Sequence, residues 1–351
     1  MRGRLSMSHN LAGGVAGFLM LAVSCLSFAG EQGEGRRLKV ITTLEILREL
    51  AQAVGGDRVE AVALADPGQD PHYVQPRPTL MKRCREADLF IEVGLELELW
   101  AQRVIDGAGN PRIQVGQPGR VIASRGIRTI GLPARVTRAE GDIHPSGNPH
   151  LWLDPLNIPR LAANIAAGLA AVDPGHADRY RARLAGLEGK LATWLFGLEL
   201  VKRVGARKLL RDARRGRLES YLQRNGIEEM LGGWLRRAAP LRARPLVTYH
   251  RNWGYLARRL GMEVVMEIEE KPGIPPSAKH RDLVIRTIRE RAIPAILMAS
   301  HHDGGAGRFI GRKSGARLIV APMQPGGEEG VRDYFELMET LIDRLLGGEA
   351  P

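Results

Sequence analysis

Three histidines, far apart in the chain, stand at the ends of short apolar runs or directly after a proline. They are His72 in Asp70-Pro71-His72-Tyr73, His150 in Asn148-Pro149-His150-Leu151-Trp152-Leu153-Asp154-Pro155, and His250 in Val247-Thr248-Tyr249-His250. Neutral imidazole is the commonest nitrogen donor to zinc-class ions. A proline before His72 and before His150 fixes the local backbone, so each ring leaves a defined turn. Taken singly, a histidine beside a proline in a loop is more often a capping or surface residue than a ligand. Taken together, three of them at strand exits read as a metal site assembled by folding.

The elements that must position these rings follow from hydrophobic periodicity. Residues 39–42, 59–65 and 89–93 read as strands, with helical patterns over 44–54, 79–87 and 95–108 between them. Alternation of this kind is the signature of a parallel sheet. From Pro159 the pattern becomes a long Ala/Leu-rich helix through Leu161, Ile165, Leu169, Tyr180, Leu184, Leu187, Leu191 and Leu195, broken only near Pro174. Alternation resumes with strands at 246–249, 263–268, 295–299 and 318–321, separated by helices near Trp253, Asp282, Arg308 and Tyr334. The fold class predicted is α/β: two small parallel-sheet lobes joined by a long connecting helix, with the metal in the cleft between them. Ligands of open α/β sheets bind beyond the carboxyl ends of the strands, where all three histidines fall.

The domain reading is a leader at 1–29, a first lobe at 38–157, a connecting helix at 158–197, a basic helical insertion at 198–244 and a second lobe at 245–347. Arg2 and Arg4 precede an apolar stretch over 11–26 that ends in Ser27-Phe28-Ala29, an export signal cleaved after Ala29. Cys25 offers lipid attachment as the rival. After cleavage Cys84 alone remains of the two cysteines, which excludes an intrachain disulfide. The expected location is periplasmic or otherwise extracytoplasmic.

The formal charge of +12 over 351 residues invites a nucleic-acid reading, but the charge is concentrated. Residues 202–244 hold 13 Lys and Arg against four acids, a net of +9. A solvated helical face is the simple reading of that segment, with anionic lipid or an acidic partner as its rival. No nucleic-acid motif accompanies it.

Four stretches carry a family resemblance: residues 70–76, Ala87-Asp88-Leu89 with 94–100, residues 147–155, and Lys271-Pro272-Gly273-Ile274-Pro275-Pro276-Ser277. Over most of 38–346 the chain resembles the zinc/manganese solute-binding proteins of ABC transporters. The resemblance implies an extracytoplasmic receptor, not an enzyme. It would capture a divalent metal between two lobes, deliver it to a membrane permease and act as a monomer. It places the family's three nitrogen ligands at His72, His150 and His250. Histidine at the third position, where manganese-preferring members carry a carboxylate, tilts the cargo toward Zn2+ over Mn2+.

The fourth ligand departs from the pattern. Many members have an aspartate after the last strand, where this chain reads Ala321-Pro322-Met323-Gln324-Pro325. Glu269, at the end of the strand 263–268, is the first replacement, with a simple pairing to Lys271 or an arginine as the alternative. Asp303, beside His301 and His302, is the second, and water the third. The run 301–303 itself reads as a surface loop, with a secondary metal-capture cluster as its rival, and His144 as shaping the entry loop or binding weakly. His176 and His280 read as polar helical positions. Asp154 is read as an acceptor behind His150 or as a helix cap. Rival classes are a zinc hydrolase and a surface adhesin with incidental metal binding. A three-histidine zinc with an open position can activate water. The sequence nevertheless has no His-Glu-x-x-His helix and no nucleophile elbow.

Overall fold

In the computed structural model, residues 36–133 and 144–348 are described, so the leader reading and Cys25 lie outside the described residues. β1 (Leu38–Thr42), β2 (Val59–Ala63), β3 (Leu89–Glu92) and β4 (Arg120–Ile122) form a parallel sheet in the order β2-β1-β3-β4. β5 (Pro245–Thr248), β6 (Glu263–Glu267), β7 (Ala295–Ala299) and β8 (Arg317–Ala321) repeat that order as β6-β5-β7-β8. Central strands β3 and β7 are buried at every position, which is why β7 reads as an unbroken apolar run and β3 departs from one only at Glu92, paired with Arg120. In both sheets the chain crosses from one side of the first strand to the other after the second strand. This opens a crevice at the carboxyl ends.

The first lobe carries α1 (Glu45–Gly55), α2 (Pro78–Cys84) and α3 (Ala101–Ala108). α3 starts six residues later than the expected 95–108. Leu95 and Glu96 take positive φ angles, and the buried Glu98 carboxylate accepts the Val93 and Gly94 N–H groups and the Thr43 hydroxyl. Those bonds hold a turn where propensity favours a helix. Cys84 is a free, buried thiol, pushed up to about 12 by burial.

The expected connecting helix over 158–197 is two helices, α4 (Ile158–Val172) and α5 (Ala177–Phe196), split by a turn at Pro174–His176. Pro174 lacks an N–H and excludes helical geometry from Asp173, which sits at φ −138°, ψ 66°. α4 belongs to the first sheet, where Gly168 lets the helix approach so closely that an added Cβ would lie 2.3 Å from Val121. α5 alone makes the long connection, about 30 Å for its 20 residues. It starts beside the first lobe, where Arg183 donates to the Ala53 carbonyl at 3.0 Å, and ends with Trp194 stacked on Trp234 and Phe335.

The basic segment is helical: α6 (Leu198–Val204), α7 (Ala206–Arg214), α8 (Leu218–Asn225) and α9 (Gly233–Arg237). α7 buries Leu209, Leu210 and Ala213 and exposes Arg207, Arg211 and Arg214. Buried Asp212 is paired with Lys208 and Arg217. Gly232-Gly233-Trp234 is a packed turn, because a Cβ on Gly233 would meet the Trp194 carbonyl at 2.2 Å.

The second lobe adds α10 (Gly254–Leu260), α11 (Ala278–Glu290), α12 (Gly305–Ser314) and α13 (Tyr334–Leu346). One core cluster joins both sheets, running from Val40 and Phe90 to Leu246, Leu297 and Leu341. Polar contacts stitch the lobes through that core. Trp152 Nε1 donates to the Met323 carbonyl at 2.7 Å, and Tyr334 donates its hydroxyl to the Trp152 carbonyl at 2.8 Å. Arg259 grips Asp154 with two bonds of 2.7 and 2.8 Å. Among the described residues, no helix is long and apolar enough to cross a membrane.

Candidate metal centre

Every histidine singled out by motif leaves the carboxyl end of a sheet. His72 lies in the loop after β2, His150 precedes the 3₁₀ turn Leu151–Leu153 that follows β4, and His250 follows β5. Folding brings the three together: ring centroids are 5.3 Å apart for His72 and His150, 6.1 Å for His72 and His250, and 6.3 Å for His150 and His250. His150 and His250 are buried.

Two of the rings are set by the same local device. In Asp70-Pro71-His72 the Asp70 Oδ1 accepts the His72 backbone N–H at 3.0 Å and faces the ring Nδ1 at 2.6 Å. In Asn148-Pro149-His150 the Asn148 Oδ1 does the same at 3.0 and 3.0 Å. Each is an Asx turn with a proline inside it. A carboxylate or amide oxygen accepts only, so Nδ1 carries the proton and Nε2 keeps the lone pair a metal needs. Trp100 Nε1 pins the first turn by donating to the Pro71 carbonyl at 2.9 Å.

His250 reaches the same state through a distant partner. Its Nδ1 is 2.7 Å from Glu269 Oε2, which also accepts the Gly273 N–H at 2.9 Å from the proline-rich turn. Glu269 therefore stands behind His250, on the side away from Nε2.

A fourth ring joins them. His144 Nε2 lies 3.1 Å from His72 Nε2, and its centroid is 5.1 Å from His72 and 6.5 Å from His150. Metal–nitrogen bonds of about 2.0–2.1 Å at tetrahedral angles separate two nitrogens by roughly 3.3 Å. The rings converge without closing: among the described residues, no group of three or more His, Cys, Asp or Glu side chains has its donors gathered as a bound ion would hold them. A cavity of about 330 Å³, lined by His144, His150, His250, Arg251 and Gly254, gives access to them.

Burial disfavours a charge on His150. Burial, reinforced by the charges that His72, His250, His144 and His301 would carry, holds His150 well below the ordinary histidine range. Burial pushes the Asp70 carboxyl up. The hydrogen bonds and charge of His72, with His301 behind, outweigh that and hold it well below the usual carboxylate range. A carboxylate at Nδ1 is the partner that orients a metal-ligating imidazole and raises its basicity.

The remaining candidates separate clearly. Asp154 does not face His150; it caps the turn Pro155–Asn157 and binds Arg259. His176 pairs with Asp173 at 2.9 Å and His280 Nε2 donates to the Glu267 carbonyl at 3.0 Å, both away from the cluster. Asp303 is exposed, 3.7 Å from Arg308. His301 and His302, read from sequence as a surface loop, are instead packed inward: His301 Nε2 is 3.9 Å from Asp70 Oδ2 and the His302 ring 5.7 Å from His250. In the loop after the last strand, where the resemblance implies an aspartate, Met323 is buried and its sulfur accepts from Asn252 Nδ2 at 3.0 Å. Sequence reasoning passed over Asn148 and Asp70 as orienting groups, although the repeated Asx-Pro-His spelling carried the signal.

Comparison with known proteins bears on this arrangement. The family model described as "Zinc-uptake complex component A periplasmic" matches residues 40–194 and 228–348, leaving out 195–227, the end of α5 and the first part of the basic segment. The iron-binding protein YfeA of Yersinia pestis is 26% identical over 335 residues, covering 94% of this chain and 92% of that one. The manganese ABC transporter substrate-binding lipoprotein PsaA of Streptococcus pneumoniae is 24% identical over 340 residues, covering 93% of each. A crystal structure of ZnuA shares the fold with a TM-score of 0.63 at 20% identity, covering 90% of this chain and all of that one.

Proposed function

The chain belongs to the family of periplasmic zinc-uptake component A proteins, and on that premise we propose that it captures zinc in the cleft between its lobes for import. At the coarser level it is an extracytoplasmic metal-binding receptor of an ABC transporter, and not an enzyme. The observation that carries the finer reading is the set of four converging imidazoles, three of them with Nδ1 held by an acceptor. A nitrogen-rich set suits zinc better than manganese, which favours carboxylate, carbonyl and water oxygens. Relatives named for iron or manganese make metal choice the point to test. Competitive titration of the metal-stripped protein should give one tight equivalent and at least about 100-fold preference for Zn2+ over Mn2+. Equal affinities would overturn the assignment to zinc.

We assign the ion to His72, His150, His250 and His144, and give Glu269 the role of orienting His250 instead of ligating. Glu269→Gln then keeps an acceptor for the ring and should weaken zinc about 10-fold or less, within the range of outer partners. His144→Ala should weaken it more. The reverse order in the same titration would return the fourth position to Glu269.

The sign of the pH dependence follows from ligand chemistry. Protonated imidazole cannot ligate, so affinity falls as pH drops. Burial lowers His150, so its share of that fall comes below the ordinary value near 6.5. The apparent Kd should therefore rise gently from pH 7.5 to 6.5 and steeply beneath it. A flat profile down to pH 5 would exclude histidine ligation.

Delivery to a membrane permease, a monomeric state, export by the leader 1–29 and the alternative lipid attachment at Cys25 complete the proposal. The intact mass of the mature protein separates cleavage after Ala29 from lipidation.

A further inference from the structure

The loop after β7 places two more imidazoles against the centre. His301 and His302 have centroids 4.4 Å apart; His301 Nε2 lies 3.9 Å from Asp70 Oδ2 and the His302 ring 5.7 Å from that of His250. Stacking on Tyr249, with centroids 4.7 Å apart, accounts for where the His302 ring lies. It does not account for His302 Nε2, which is buried and has no hydrogen-bond partner among the described residues. A buried polar atom without a partner is costly, and its persistence points to a ligand that satisfies it.

Asp70 supplies the complementary group. Its Oδ1 serves His72, while Oδ2 faces His301 Nε2 across 3.9 Å. That gap is too long for a hydrogen bond, yet a cation with bonds of about 2.0–2.2 Å to each atom spans it. Two cations near each other repel, and paired metal sites are stable when carboxylates lie between or beside the ions. Asp70 lies between the two sets of rings and Glu269 beside them.

We propose that His301, His302 and Asp70 form a second, weaker divalent-cation station beside the first, with Asp70 Oδ1 still orienting His72 there. As in the first set, the rings must turn to close on an ion. The inference rests on the reading of the chain as a metal receptor, but not on which four donors hold the first ion. An ion at the second station would be one imidazole, His250, away from the transport site.

The test is equilibrium zinc binding to the full mature protein, read by calorimetry and elemental analysis at saturating zinc. Two classes are expected, one tight equivalent and one weaker. The double variant His301→Ala/His302→Ala should lose the weak equivalent and keep the tight one. His150→Ala should do the opposite. His301→Gln/His302→Gln, monitored by thermal melting, keeps the result readable if the alanine pair misfolds. A single class in the wild type, or a weak class that survives both double variants, overturns the proposal. A wild type without the tight class would sink the receptor reading and this inference with it.

Discussion

Replacing His150 by alanine is expected to weaken zinc binding by about 10²–10³-fold, the share of one ligand in a site worth about 10–16 kcal/mol. His150 is the ring on which the cluster depends. It is buried, lies within 5.3 Å of His72, 6.3 Å of His250 and 6.5 Å of His144, and is held neutral by burial. The Trp152 ring packs against it, with centroids 5.5 Å apart. Competition against a chromophoric chelator measures the loss, with His176→Ala as a control whose ring pairs with Asp173 far from the cluster. An unchanged Kd in the His150 variant would remove the centre from this cleft altogether.

Trp152→Ala is expected to cost about 3–5 kcal/mol of folding stability. The side chain is 1% exposed at the seam between the lobes. Removing it opens a cavity and strips the buried Met323 carbonyl of the indole N–H that satisfies it. The Tyr334 hydroxyl, which donates to the Trp152 carbonyl, loses the packing that holds it. Denaturant unfolding of the metal-free protein reads the difference. Trp194→Ala, at a position 37% exposed, should cost clearly less. Equal losses would mean that the seam contributes no more than a partly exposed ring. Zinc affinity should fall as well, since the ring that backs His150 is gone.

The same two residues show what was legible from sequence and what was not. His150 and Trp152 share the stretch 148–155, dense enough to mark a site by residue order alone. The apolar runs likewise marked the parallel strands, because a strand covered on both faces must be apolar throughout. Pro174 was visible as a weak point, yet it does more than dent the connecting helix. It ends α4 on the first sheet and hands the connection to α5.

What the sequence determined by itself is local. An Asx residue, a proline and a histidine in a row suffice to turn the backbone and protonate Nδ1, since every atom involved lies within three residues. Alternating apolar runs suffice for two parallel sheets. What only the tertiary structure decided is which distant groups meet. Glu269 turned out to stand behind His250, His144 to face His72, and His301 and His302 to point inward from a loop that reads as exposed. The physical reason is that these contacts join segments 19 to more than 200 residues apart, and their geometry depends on how two lobes pack on a shared core around Trp152. Spacing along the chain carries no record of that packing.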